Sequence, residues 1–415
     1  MTPSTAGASL PKRVLAFAGL PFLSLVTPFL FLPLLARVAG PDAWLAIAVG
    51  QSVGAFGALF VALGYNTVGP TMVALAAAAE RRELLIVSVR ARTTILIPAG
   101  VLAVAIAVLV APASHRLEAG LMSLAMVLTG LSSSWFMIGL GRAGLIVLYE
   151  ILPRIVATLI AAAVLVLLGE VIWYPILLVL AALVSVIGFL LRTVPMRELV
   201  RADPGTVRRV LLANRSALVT EVAAGAYNSL AVTFVSLTAS VAQAASYVSG
   251  DKLYRIGQYS VSALGNALQP WVVEEDRREF AHRVRRALVL HLSLGLAGLL
   301  GFAFLGSWLS GWLFGAAVAI NETTALGFGV ATLGIALGTA LGRVTLVALG
   351  ARREFMTSVL LGAGIGVPAI LLLAAQFGSA GGAWGLALGE AVSVTCQAIF
   401  VLRRWPRAVP APRVE

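Results

Sequence analysis

Asp251, Arg255, Gln258, Ser262, Asn266 and Gln269 follow one another by 4, 3, 4, 4 and 3 positions in an otherwise mostly apolar stretch. At 100° per residue they fall within an arc of about 80°, one polar line along a helix. Lys252 flanks its upper end. An Arg or Asp at the centre of a bilayer costs roughly 2.5–3.5 kcal/mol on insertion scales, so such a line must face other helices or water. Arginine meets phosphate oxygens with a planar fork and lysine supplies a point charge. Asp251 and Arg255 can neutralise each other, leaving Lys252 as a further cation. The line therefore suits an anionic cargo, with Lys252, Arg255, Gln258 and Asn266 as candidate contacts.

Other polar groups repeat at helical spacing more sparsely. Glu150 and Arg154 stand four apart, a spacing that lets them pair, and Pro153 between them predicts a kink. Arg154 joins the candidate cargo residues. Asn214, Glu221 and Asn228 share a face, as do Glu390, Ser393 and Gln397, and Thr332, Thr339 and Arg343. Glu150, Glu221, Asp251 and Glu390 are the candidate coupling or counter-charge residues. The isolated Ser and Thr residues read as hydrogen bonds between helices.

Several patterns look catalytic and are set aside. "GLGRAG" (139–144) matches a dinucleotide fingerprint, but an apolar span rather than a strand precedes it. "SGDK" (249–252) matches S-x-x-K without its partner motifs. Cys396 is the only cysteine, so no intrachain disulfide or cysteine metal cluster is expected. His115, His282 and His291 are far apart, the first two in expected loops. No catalytic residue, metal or cofactor is expected, and the chain does not read as an enzyme.

The elements that hold these residues follow from composition. Of 415 residues, 60% are hydrophobic and 12% charged, with a mean hydropathy of +0.98. Soluble domains are nearer 25% charged, so this chain reads as an all-α polytopic membrane protein. Apolar runs at 14–37, 43–64, 94–112, 119–139, 145–168, 172–191, 212–238, 246–272, 288–309, 324–348, 355–376 and 381–402 predict about twelve spans. The first run is too long for the apolar core of a signal peptide.

The net charge of +12 sorts by position. With a cytoplasmic N-terminus, the outer loops hold only Arg37 and Arg116, and Arg154, Lys252, Arg255 and Arg343 fall inside spans. The remaining basic residues, Arg81, Arg82, Arg90 and Arg92 among them, then lie in cytoplasmic stretches, as the positive-inside rule requires. Both termini are expected on the cytoplasmic side. Nucleic-acid binding is not expected, because the basic stretches lack interleaved aromatics. The longest basic connection divides the chain into an N-terminal six-helix bundle (1–192), a cytoplasmic linker (193–211), a C-terminal six-helix bundle (212–402) and a basic tail (403–415). Faint likeness between the halves suggests a duplication, which would put a substrate site at the interface of the repeats. Glycines at four-residue spacing (Gly334, Gly338, Gly342) predict close helix contacts.

Four stretches carry a family resemblance: "PLLARVAGPDAWLAIAVGQSV" (33–53), "GLGRAGLIVLYEILPRIVATLI" (139–160), "ASYVSGDKLYRIGQYSVSALGNALQPWV" (245–272) and "GSAGGAWGLALGEAVSVTCQ" (378–397). In order and spacing they resemble the O-antigen type of polysaccharide flippase in the multidrug/oligosaccharidyl-lipid/polysaccharide (MOP) exporter superfamily. The resemblance implies two six-helix bundles around a central cavity. It implies movement of undecaprenyl-diphosphate-linked oligosaccharide across a bacterial cytoplasmic (inner) membrane, and cationic lumen residues near Arg154, Lys252 and Arg255. Membrane lipids and other glycan-assembly proteins are the further expected partners. The chain departs from the pattern in its first span, which carries no charge between Arg13 and Arg37; Pro21, Pro28 and Pro33 suggest a bent, gating helix there instead.

Two rivals remain. A multidrug or cation antiporter of the same superfamily would have an acidic, aromatic site, whereas the 251–269 line offers more cation than anion. A membrane-embedded polysaccharide polymerase or ligase would need a sizeable outer loop with polar catalytic residues, and every predicted outer loop is short.

Overall fold

A computed structural model describes residues 31–194, 204–273 and 279–408. Most of the expected first span, with Pro21 and Pro28, lies outside the described residues, as do most of the expected linker and the tail beyond residue 408; Pro33 lies in a helical segment over 31–38. Ten helical stretches follow: α1 Gly40–Leu75, α2 Ala78–Val110, α3 Ala113–Gly139, α4 Gly144–Leu168, α5 Trp173–Thr193, α6 Pro204–Thr238, α7 Val241–Val272, α8 Phe280–Phe314, α9 Glu322–Leu346 and α10 Arg352–Ala408. No strand occurs among the described residues. Eight of these stretches are long and apolar enough to cross a membrane, and the protein is an all-α polytopic membrane protein. α6 and α7, at 35 and 32 residues, coincide with the expected seventh and eighth spans but carry their polar lines. α10 contains the last two expected spans, separated by a kink at Gly378.

Local chemistry sets the helix ends. α1 begins with a proline in its first turn and Asp42 beside it, which suits the positive end of the helix dipole. The Ser240 hydroxyl accepts from the Gln243 amide at the start of α7, and Asn321 accepts from the Thr324 amide at 2.8 Å at the start of α9. Both are side-chain N-caps.

The helices form two compact units. The first runs from Thr27 to Leu237 and so includes α1–α6; the second contains Thr238–Glu415 and so α7–α10. In the first, α1 lies against α3 through glycines: a Cβ on Gly50 would sit 2.7 Å from that of Met122, and one on Gly54 2.6 Å from that of Met126. α6 is fastened to α1 by hydrogen bonds. Ser52 Oγ donates to the Ser229 carbonyl at 2.5 Å and lies 2.7 Å from Thr233 Oγ1. In the second unit, the expected glycine line receives α10. A Cβ on Gly334 would lie 2.7 Å from the Glu390 Cβ, and Gly338 and Gly342 face Gln397.

The helices of the first unit are interrupted at a shared set of contacts. α1 turns left-handed at Leu63 (φ 51°) and Gly64 (φ 76°). α3 leaves helical geometry at Ser132 and Ser133. α4 opens into a π-turn over Val147–Ile151. The short ends beyond the first two breaks pack tightly together, since a Cβ on Gly69 would enter the Trp135 ring and one on Gly139 would meet Val73.

Candidate functional site

The 251–269 line lies on α7, whose buried face includes Tyr247, Tyr254, Val261, Gly265 and Leu268. That face packs on α9 through Phe328, with ring centroids 5.1 Å from Tyr247 and 5.8 Å from Tyr254. Asp251 belongs to both the buried face and the polar line and is only 3% exposed. Its Oδ2 accepts from Arg255 Nε at 2.8 Å, while the Arg255 side chain remains 31% exposed. The pair is therefore asymmetric: the anion is sealed and the guanidinium reaches partly into the open. Lys252, Gln258, Ser262, Asn266 and Gln269 are half-buried. Asn266 Oδ1 accepts from Arg343 Nη2 at 2.5 Å, which ties the lower part of the line to the π-turn at Thr339–Leu346 of α9.

Thr332 and Thr339 take a different part from the one expected. Their hydroxyls donate within α9, to the carbonyls of Phe328 and Ile335, each at 2.8 Å. Their methyls instead face Gly257 and Gly265 of α7. Other hydroxyls do bond between helices, as in Thr324 with Ser379 at 3.0 Å. Buried His291 of α8 bonds the Ala287 carbonyl through Nδ1 at 2.8 Å, and its Nε2 has no hydrogen-bond partner among the described residues. His115 and Glu118 form a 3.1 Å contact.

Glu390 packs its Cβ against Gly334 of α9, and no hydrogen bond or ion pair to it occurs among the described residues. Gln397, two turns on, is 2% exposed and donates weakly to Ser393 Oγ at 3.3 Å. Glu221 of α6 accepts from Thr67 Oγ1 at 2.5 Å. On the same face, Asn214 Nδ2 donates to the Leu63 carbonyl at 3.1 Å. The expected polar line of α6 thus docks on the break in α1.

Arg92 is a correction. Expected in a cytoplasmic stretch outside the span at 94–112, it lies within α2 and is only 1% exposed. Its Nη1 donates to the Ser132 carbonyl at 2.7 Å and the Gly130 carbonyl at 3.2 Å, two acceptors that the broken α3 helix releases. Its guanidinium carbon lies 5.7 Å from the Tyr65 ring centroid and 5.6 Å from that of Trp135, a cation–π arrangement. Ser132 Oγ in turn donates to Glu150 at 2.5 Å. The expected Glu150–Arg154 ion pair does not close. The π-turn removes the α-helical register on which an i, i+4 pair depends, and Glu150 takes the Ser132 hydroxyl instead. The same turn accommodates Pro153, which lacks an N–H and would clash with a carbonyl four residues back in a regular helix. Glu150 and Arg154 line a cavity of about 50 Å³ together with Thr129, Ser132 and Ser185.

The structure thus joins Asp251 to Arg255 and Asn266 to Arg343 in one unit, and Arg92, Ser132 and Glu150 in the other. Sequence spacing missed Arg92 and the Asn266 partner, because each contact joins helices distant along the chain. A signal for Arg92 was present: it sits two residues before the predicted span, within one turn of the bilayer.

Comparison with solved structures identifies the fold. A lipid II flippase, MurJ, in an inward closed conformation aligns with a TM-score of 0.74 at 11% identity, covering 95% of this chain and 90% of that one. An inward-facing multidrug resistance MATE family transporter of the MOP superfamily aligns with a TM-score of 0.69, also at 11% identity, covering 94% and 97%. A eukaryotic MATE transporter aligns at 0.54 and 15% identity, covering 96% and 98%. The chain therefore has the fold of MOP-superfamily transporters. No protein-family model matches the sequence, and no curated protein matches it.

Proposed function

We propose that the protein is a flippase that moves an undecaprenyl-diphosphate-linked oligosaccharide across a bacterial cytoplasmic membrane by alternating access. The observation that carries this reading is the α7 line. It places a part-exposed arginine, a lysine and three side-chain amides along one face of a helix within an apolar protein. Arg255 and Lys252 suit the diphosphate; Gln258 and Asn266 suit the hydroxyls of a glycan. Arg154 is the remaining cargo residue. Asp251 holds Arg255 in place, and Glu150, Glu221 and Glu390 are the candidate coupling groups. The fold supports transport as the class of function, and the positive-inside pattern supports cytoplasmic termini. Membrane lipids and glycan-assembly proteins are the proposed partners, and no enzymatic activity is assigned.

The test is transport by Arg255→Ala and Lys252→Ala in a strain lacking the native gene, with folding checked by thermal melting in detergent. Both variants are expected to fold and to lose most transport. Wild-type transport in both overturns the assignment of α7. Drug resistance on overexpression, with no glycan defect on deletion, would move the reading to the multidrug antiporter.

A further inference from the structure

One end of the second unit concentrates charge that the bundle itself does not use. There the start of α8 meets the C-terminal end of α10, and the two ends of α10 meet each other: Phe280 stacks on Trp405 with centroids 6.1 Å apart, and Arg404 bonds Glu354. Arg283 lies over the Trp271 ring at 5.5 Å, donates to the Trp271 carbonyl at 2.9 Å and pairs with Glu279 at 3.1 Å. The two described acids at this end, Glu279 and Glu354, are therefore engaged. Arg285, Arg286, Arg352, Arg353 and Arg403 are exposed, and their side chains make no hydrogen bond or ion pair among the described residues. The opposite end, around Gly315–Glu322, carries Glu322 and no basic residue.

The surface next to these arginines is apolar. Val289 and Leu290, one turn beyond Arg285 and Arg286, are 54% and 40% exposed, and Leu402, beside Arg403, is 73% exposed. Leu360 and Leu361, about two turns beyond Arg353, are also exposed. The cations and half-buried Trp271 and Trp405 share this end of the unit, and bare aliphatic side chains follow along the helices. Aromatic residues of this kind settle at the membrane–water boundary, and basic clusters beside it attract anionic headgroups. A nucleic acid or an acidic peptide would match the cations but not the aliphatic layer immediately next to them.

We infer that this end of the second unit is a docking surface for anionic phospholipid, with the phosphate among Arg285, Arg286, Arg352, Arg353 and Arg403 and the acyl chains along α8 and α10. The inference does not depend on the proposed cargo.

The experiment compares wild type with the variant R285Q/R286Q/R352Q/R353Q/R403Q, and with R208Q/R209Q as a control that removes exposed charge from the other unit. Each protein is reconstituted in phosphatidylcholine vesicles with or without phosphatidylglycerol. After gentle extraction, native mass spectrometry counts retained phosphatidylglycerol, and circular dichroism checks helicity. Wild type and control should retain it alike, and retention should fall about fivefold for each arginine removed from the surface. The single substitution R403Q keeps the test valid if the fivefold variant loses helicity. Undiminished retention by the folded variants overturns the inference. So does an equal loss in R208Q/R209Q, which would mean that net charge alone holds the lipid.

Discussion

The Arg92 contacts of the first unit and the Asp251–Arg255 pair of the second both place a guanidinium inside an apolar bundle, yet they do so in opposite ways. Arg92 is sealed at 1% exposure and divides its donors among carbonyls of a broken helix, between two aromatic rings. Arg255 bonds a carboxylate of its own helix and keeps nearly a third of its side chain exposed. A cation held by several elements at once fixes their geometry. A cation that keeps part of its side chain exposed can also meet a ligand. The first pattern is architecture, and the second is the one we propose as a site.

That contrast can be broken at several points, and the largest effect is expected at Arg92. Arg92→Met removes the charged donor from the Gly130 and Ser132 carbonyls and should destabilise the protein by about 3–5 kcal/mol, read as a loss of thermal stability in detergent. Arg92→Lys should recover only part of it, because an ammonium lacks the planar fork. A fully stable Arg92→Met variant would show that the helix break holds itself.

Next in size is the close packing beside that break. Gly69→Val drives a side chain into the Trp135 ring and should cost about 1–3 kcal/mol, measured by the same melt. In the second unit, Asp251→Ala leaves Arg255 without its carboxylate and should destabilise more than the double variant Asp251→Ala/Arg255→Ala. A double-mutant cycle with no coupling would remove the pair from the account. The smallest effect is expected where two hydroxyls join neighbouring helices. Ser52→Ala should cost about 0.6 kcal/mol, the usual size of such a bond within membranes.

How much was legible in the sequence follows the same division. The α7 line was readable because one helix carries all of it, so a fixed period of residues becomes a line in space. The glycine line of α9 was readable for the same reason, and Gly334, Gly338 and Gly342 do receive α10. Arg92 was not readable, because Tyr65, Arg92, Ser132, Trp135 and Glu150 come from four helices and share no local spacing. The Glu150–Arg154 pair was expected from a spacing that presumes a regular helix, and the π-turn before Pro153 removes that premise. The α9 threonines misled for a further reason. A threonine hydroxyl can satisfy itself on a carbonyl of its own helix, so a line of such residues does not by itself bind a neighbour. Membrane class and helical architecture, by contrast, follow from apolar run lengths alone, since the bilayer admits few alternatives to a helix.

The central claim, that the half-open cations of α7 hold a lipid diphosphate, meets its most direct test in the lipids retained by the gently purified protein. Mass spectrometry of wild type should find a polyprenyl-diphosphate glycan, and Arg255→Ala, folded and equally abundant, should retain little of it. Equal retention by both proteins would contradict the claim.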